Sequence, residues 1–194
     1  MTISLPIIEG MSLREEEKMK RIRVGVLSLV VCILVLLSGA VFAQDSTTFD
    51  VIITKVRLAS RYLEQNGEAG LAAFNDPNGA WTWADTYIFV YDCDRMMCVA
   101  HPVAKWIGAD ISTLTDIRGK NFPYDLCEAS KQPKGGFVEY WFADITDGEE
   151  RRKVSYALDV PGLPYQVIAG IYEPSLSLND LYSMLSRTMT EGSW

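Results

Sequence analysis

The stretch from Thr86 to Pro102, TYIFVYDCDRMMCVAHP, constrains the fold more than any other part of the chain. Tyr87, Phe89 and Tyr91 alternate with Ile88 and Val90, so an extended backbone sends the aromatics to one face and the aliphatics to the other. A polar segment, Asp92-Cys93-Asp94-Arg95, interrupts the pattern before a second apolar run, Met96 to Ala100, which closes on His101-Pro102. Two β-rich runs split by a short polar segment predict a β-hairpin. Tyrosines bring hydroxyls to an apolar wall, so the aromatic face is a candidate cavity lining. Ordinary core packing accounts for the same residues, and the choice rests on the rest of the chain.

The N-terminal part has a different character. Lys18, Lys20, Arg21 and Arg23 precede an uncharged apolar run from Val24 that ends at Val41-Phe42-Ala43. A basic segment, an apolar segment and small residues at the cut predict a secretory signal peptide over residues 1–43. Left uncut, the run is long enough to act as a membrane anchor. The segment before Lys18 is long and acidic for a signal sequence, so Met11 and Met19 are alternative starts. Either way, residues 44–194 are expected to form one domain outside the cytoplasm, periplasmic or secreted. Of 18 Lys+Arg and 25 Asp+Glu, the first 43 residues hold five and four, leaving 13 and 21 and a net charge of −8. That balance argues against nucleic acid or an anionic membrane surface as partner. A small anion is still admissible, because one buried cation outweighs distant surface charge in a closed pocket.

Three cysteines fall in this domain: Cys93, Cys98 and Cys127. Exported cysteines tend to pair. Cys93 and Cys98 flank the predicted turn closely enough to be bridged, which leaves Cys127 as the odd thiol. Zinc is a poor alternative, since C-x4-C with a single distant histidine lacks ligand spacing. Neither a metal nor another cofactor is expected.

Thr47 and Thr48 are positioned to cap a helix whose inward residues are Phe49, Ile52, Ile53, Val56, Ala59 and Leu63, with Gly67 as its stop. Helix-favouring sequence continues from Glu68 to Phe74, until Asn75-Asp76-Pro77-Asn78-Gly79 breaks it. After the hairpin, a loop through Asp116-Ile117-Arg118-Gly119-Lys120 leads to a short helix over Pro123–Lys131. Strands are expected over Phe137–Ala143, Arg152–Val160 and Tyr165–Tyr172, with turns at Asp147-Gly148 and Pro161-Gly162. An amphipathic helix follows Pro174, with Leu178, Leu181, Met184 and Leu185 on one side. The order describes an α+β domain with an antiparallel sheet.

Eight segments in order also carry a resemblance: FNDPNG (74–79), YIFVYD (87–92), AHP (100–102), DIRGKNF (116–122), GGFVEYWF (135–142), KVSY (153–156), VPG (160–162) and AGIY (169–172). Together they resemble the single Cache domain, type 2, an extracellular sensor module of bacterial chemoreceptors and histidine kinases, over roughly Phe49 to Pro174. The resemblance implies a PAS-like antiparallel sheet of five or six strands, with a long N-terminal helix and a C-terminal helix. It also implies a pocket on one sheet face for a small organic ligand of the acetate, propionate, pyruvate or lactate class. Family receptors continue into a cytoplasmic signalling module, whereas this sequence stops at Trp194, so a membrane signalling partner is expected. A homodimer through the long helix is a further expectation. Arg95 stands where family members often carry glycine, which predicts a different turn type.

Recognition of a carboxylate needs a cation or several donors and an apolar wall. Lys153 is the candidate cation because it matches the family's K-x-x-Y position, with Tyr156 facing the other side of the strand. A solvated charged turn, Arg151-Arg152-Lys153, is the plain alternative. Arg151 shares a strand face with Lys153, Arg152 points away, and Arg61 is an outside candidate on the long helix. His101, the only histidine, is a candidate donor or a strand-end structural residue. Trp83, Tyr87, Phe89, Tyr91 and Tyr140 are the candidate wall, with Trp141 on the opposite face from Tyr140. The Asp116–Asn121 loop is expected to fix structure rather than touch ligand. No G-x-S-x-G, P-loop or H-E-x-x-H motif is present, so an enzyme is not expected. Two functions remain open: a ligand-binding sensor component, or a non-enzymatic interaction module whose pocket is filled by its own side chains.

Overall fold

The computed structural model describes residues 48–144, 147–172 and 174–187. The predicted signal segment lies outside them. Helix α1 spans Phe49–Asn66, and the Thr48 hydroxyl accepts from the Val51 amide at its start. Its buried face is Phe49, Ile52, Ile53, Val56, Ala59, Ser60 and Leu63, the expected 3.6-residue stripe with one serine added. Gly67 ends it at φ 60°, a left-handed position that glycine takes without a side-chain penalty, and its N–H returns to the Leu63 carbonyl. The alanine-rich continuation is a 3-10 segment, Gly67–Asn75, rather than a second α-helix.

Two strands of a small ribbon follow, β1 (Thr82–Trp83) and β2 (Thr86–Tyr87). The expected hairpin is β3 (Phe89–Asp92) with β4 (Met97–Ala100). In its turn the Asp92 carboxylate accepts from the Arg95 amide, and the left-handed residue is Met96 at φ 52°. Arg95 therefore does not need glycine's freedom here. Helix α2 (Phe122–Ser130) precedes β5 (Gly136–Ala143), β6 (Glu150–Asp159) and β7 (Tyr165–Tyr172), and α3 covers Leu178–Arg187. The five-stranded sheet runs β4-β3-β7-β6-β5 and every pairing is antiparallel. No helix among the described residues is long and apolar enough to cross a membrane.

The period-2 alternation divides the core into two layers. Ile88, Val90, Val154, Tyr156, Val167 and Ala169 face α1, together with Leu181 and Leu185 of α3. Each such apolar side chain stabilises the fold by roughly 1.5–3 kcal/mol relative to exposure. Tyr87, Phe89, Tyr91, Val138, Tyr140, Ala157 and Ile168 face the other way, beneath Ile111 and beneath Phe122 and Leu126 of α2. The chain from His101 to Gly135 crosses this second face from the β4 edge to the β5 edge, and so forms its cover.

Two of the ties that hold the cover down are a disulfide and a buried carboxylate. A disulfide joins Cys93 in the hairpin turn to Cys127 on α2, and Cys98 is the free, buried thiol. The expected Cys93–Cys98 bridge is corrected by this pairing, because α2 lies over the hairpin turn and brings Cys127 to Cys93, contacts that sequence distance does not reveal. The second tie is Asp116. Its Oδ1 accepts from the Arg118 and Lys120 amides, each at 2.9 Å, and its Oδ2 from the Trp141 amide of β5 at 3.0 Å. Desolvation works to raise this carboxyl's pKa, but the amides of Lys120, Trp141 and Arg118 outweigh it and hold the pKa below its ordinary value. The stabilisation is therefore present above about pH 4 and lost as pH falls through the lowered pKa. Asp116→Ala is expected to cost about 2–3 kcal/mol in urea unfolding at pH 7, because three amides lose a charged acceptor. A loss below about 0.5 kcal/mol would remove the loop from the account of what holds the cover.

Candidate functional site

A cavity of ≈20 Å³ lies between the second sheet face and its cover, lined by Tyr87, Phe89, Tyr91, Cys98, His101, Trp106, Leu114, Phe122, Tyr140, Phe142 and Lys153. Trp106, Leu114 and Phe142 are the partly exposed members of this wall and mark its outer side. The volume accommodates about one water-sized group. None of the lining side chains is a carboxylate.

Lys153 projects into this wall from β6, opposite Tyr172 of β7 and Tyr140 of β5. It is 1% exposed, and its Nζ donates to the hydroxyls of Tyr87 and Tyr172, both at 3.3 Å. The amine also lies 4.4 Å from the Tyr172 ring centroid and 4.7 Å from that of Tyr87, a cation–π setting. Burial lowers its pKa to about 7, against an opposing pull from Asp144 and Asp85. Burial likewise keeps Tyr87, Tyr140 and Tyr172 protonated well beyond neutrality. The cavity is thus a place where a cation and phenols meet in an apolar setting.

His101 enters where β4 ends. Its backbone N–H donates to Asn75 Oδ1 at 3.0 Å, and its Nδ1 accepts from the Val103 amide at 2.9 Å. The second bond leaves the neutral ring's proton on Nε2, so the side chain is a hydrogen-bond donor. Burial first, then the charges of Lys153 and Lys105, lower its pKa to about 3. The ring centroid is 4.8 Å from that of Tyr87. His101 therefore fixes the strand end and also lines the cavity.

Six of the seven sequence-derived candidates, Tyr87, Phe89, Tyr91, His101, Tyr140 and Lys153, come together around the cavity. Trp83 does not. It lies on the β1–β2 ribbon and packs with the α1-side layer, with Lys55 Nζ 5.2 Å from its ring centroid. The alternation that places Tyr87 does not extend to it, because Ala84 at φ 46° turns the chain between the two. Arg151 shares a strand face with Lys153 but is held by Asp144 and Asp147. Arg152 pairs with Glu139 and donates to the Pro174 carbonyl, while Trp141 receives the Arg118 guanidinium 4.2 Å from its ring centroid. Arg61 borders a separate surface groove on α1.

Sequence reasoning missed Cys98, Trp106, Leu114, Phe122 and Phe142 in the wall, and Tyr172 as a partner of Lys153. Phe142 carried a usable signal, since it continues the two-residue period of the strand that carries Tyr140, whereas no residue of the Tyr165–Tyr172 strand marked its cavity face. Trp106 ends a single 3-10 turn (Ala104–Trp106) and Leu114 belongs to irregular chain, and neither carried a signal.

The model of the Single Cache domain 2 family matches residues 57–184, and the chain belongs to that family of ligand-binding sensor domains. No curated protein is significantly similar to it. A methyl-accepting chemotaxis protein from Vibrio parahaemolyticus RIMD 2210633 is 20% identical, with a TM-score of 0.50 over 64% of this chain and 82% of its own. A Cache chemosensory domain described for its carboxylic acid recognition is 22% identical, with a TM-score of 0.52 over 66% and 91%. The periplasmic sensor domain of a chemotaxis protein is 17% identical, with a TM-score of 0.52 over 70% and 100%. At these identities the likeness is one of fold, and it agrees with the α+β, PAS-like architecture expected from the sequence.

Proposed function

We propose that this chain is an extracytoplasmic sensor component that binds a short-chain carboxylate beside Lys153 and acts in signal transduction or chemotaxis through a membrane partner. The observation that carries the reading is a lysine 1% exposed, surrounded by tyrosines in a cavity whose lining contains no acid. A buried cation whose desolvation is offset only in part by Asp144 and Asp85 destabilises the ligand-free fold, and an arriving carboxylate offsets that cost. The Tyr87 hydroxyl and the His101 Nε2–H are further polar groups for orienting a small acid, while Phe89, Tyr91 and Phe122 supply the apolar wall. Carboxylic acid recognition by one similar Cache domain supports the choice of ligand class.

Thermal unfolding of the compact unit Asp45–Trp194 with acetate, propionate, pyruvate or lactate tests this. An acid present at 100 times its Kd should add about 2.7 kcal/mol to stability. The pH dependence is also specified. The acid remains ionised above pH 6 while ligand-free Lys153 titrates near 7, so Kd should weaken about tenfold from pH 6 to pH 8, with proton uptake on binding at the higher pH. A Kd that is flat across this interval would remove Lys153 as the counter-ion.

The small cavity volume favours a second reading, in which the fold persists as an interaction module with its pocket filled by side chains. On that reading a well-folded protein shows no shift with any acid, at either pH.

A further inference from the structure

The hydrogen bonds around Lys153 suit a neutral amine as well as a cation. An ammonium carries three N–H groups and no lone pair, whereas an amine carries two N–H groups and one lone pair. Two acceptors meet Nζ, the hydroxyl oxygens of Tyr87 and Tyr172, both at 3.3 Å, and no third hydrogen-bond acceptor reaches it among the described residues. The Tyr172 oxygen is held in place, because its hydroxyl donates to the Ala143 carbonyl at 2.8 Å. The cavity wall offers no carboxylate for a third N–H. With two N–H groups directed at phenol oxygens, the lone pair is left for an electrophile.

Burial supports the same form. It lowers the Lys153 pKa to about 7 against the pull of Asp144 and Asp85, so about half of the side chain is free amine at pH 7. An ordinary lysine holds only about one part in 2,500 in that form. A desolvated amine in an apolar pocket is the setting in which lysine condenses with carbonyl compounds.

We propose that Lys153 takes a small aldehyde into the cavity as a reversible Schiff base, a mode of binding that requires no acid and so stands apart from the carboxylate reading. The nitrogen lone pair forms a bond to the carbonyl carbon, and the carbonyl π pair moves onto oxygen. The Tyr87 hydroxyl, kept protonated by burial, gives its proton to that oxygen and receives one from nitrogen, which leaves a carbinolamine. Loss of the hydroxyl group with the remaining nitrogen proton then releases water and leaves a C=N bond. Amine, aldehyde and imine are all uncharged, so none places a bare charge against the aromatic wall. Carbon dioxide on the same amine would leave a carbamate anion, which Asp144 and Asp85 oppose and no second cation in the lining offsets. With formaldehyde the imine adds a single carbon once water has left, an addition in keeping with a cavity of ≈20 Å³.

Reductive trapping tests the assignment. The full-length protein, disulfide intact, is treated at pH 7 with limiting formaldehyde and sodium cyanoborohydride, and the methyl label is located by peptide mass spectrometry. Lys153 is expected to carry about tenfold more label, or a larger excess, than the exposed Lys131 and Lys134. In urea-unfolded protein that preference should vanish, because it comes from the folded cavity. Label at Lys153 no greater than at Lys131 and Lys134 in the folded protein would overturn the proposal, whether or not an acid binds. Preferred label at Lys153 in a protein that responds to no acid would support it and overturn the carboxylate reading alone.

Discussion

Lys153→Met is expected to weaken carboxylate binding at least a hundredfold while making the ligand-free protein harder to unfold at pH 6. Both effects have one cause. In the unfolded chain the amine has a pKa near 10.4, and in the fold burial lowers it to about 7. A base with a lowered folded pKa carries no penalty above its unfolded value. The penalty accrues as pH falls and is fully present below the folded pKa. At pH 6 the fold therefore bears the cost of a buried ammonium, of order 5 kcal/mol at about 1.4 kcal/mol per pKa unit. Methionine keeps the length and apolar stem without the charge, so a gain of about 2–4 kcal/mol is expected at pH 6, shrinking by pH 9.5. Binding loses a charge-assisted partner in a buried cavity, for which truncation typically costs 2–5 kcal/mol. Urea midpoints at the two pH values, together with a titration, check both sides. A variant that binds normally, or that loses stability at pH 6, contradicts the assignment.

The second large effect concerns the cover. Cys93 and Cys127 are 34 residues apart in sequence, and closing a loop of that length stabilises by up to about 4 kcal/mol in the chain-entropy model. Cys127→Ser is expected to lower stability by roughly 2–4 kcal/mol and to weaken ligand binding as well, since α2 and Phe122 lose their tie to the hairpin. Non-reducing peptide mapping should recover a Cys93–Cys127 pair. Cys98, buried with its pKa raised to about 12, should alkylate only after unfolding. Recovery of a Cys93–Cys98 peptide would reverse this pairing.

Much of the fold was legible because it is written in periodicity. The α1 stripe, the hairpin alternation and the three later strands each repeat at a spacing that identifies the element and its buried face. The same alternation brought Tyr87, Phe89, Tyr91, Tyr140 and Lys153 to one side of the sheet. What stayed hidden depends on crossing the sheet. Cys127, Trp106, Leu114 and Phe122 lie on a segment whose path is set by tertiary contacts such as the Asp116–Trp141 hydrogen bond, and no local pattern announces where such a segment lands. Trp83 was misplaced for the converse reason. A period-2 argument holds only while the strand continues, and the turn at Ala84 ends it.

The cover also bears on how this molecule can meet another. Along the outer side of β5, the Trp141 amide and the Glu139 carbonyl are taken by Asp116 and Lys120. Along the outer side of β4, the Cys98 amide and carbonyl are taken by Ala109 and Gly108, and the Met96 carbonyl by Ile111. At these points the strands are closed to pairing with a foreign strand, which removes both a route to aggregation and a route to docking by β-augmentation. A second chain meets side chains there, not backbone. The outward residues of α1, Val51 at 39% and Leu58 at 49% exposed, present such a surface one turn-pair apart on the layer opposite the cavity. Because β6 sends Lys153 to one layer and Val154 and Tyr156 to the other, the strand that lines the cavity also supports that helix.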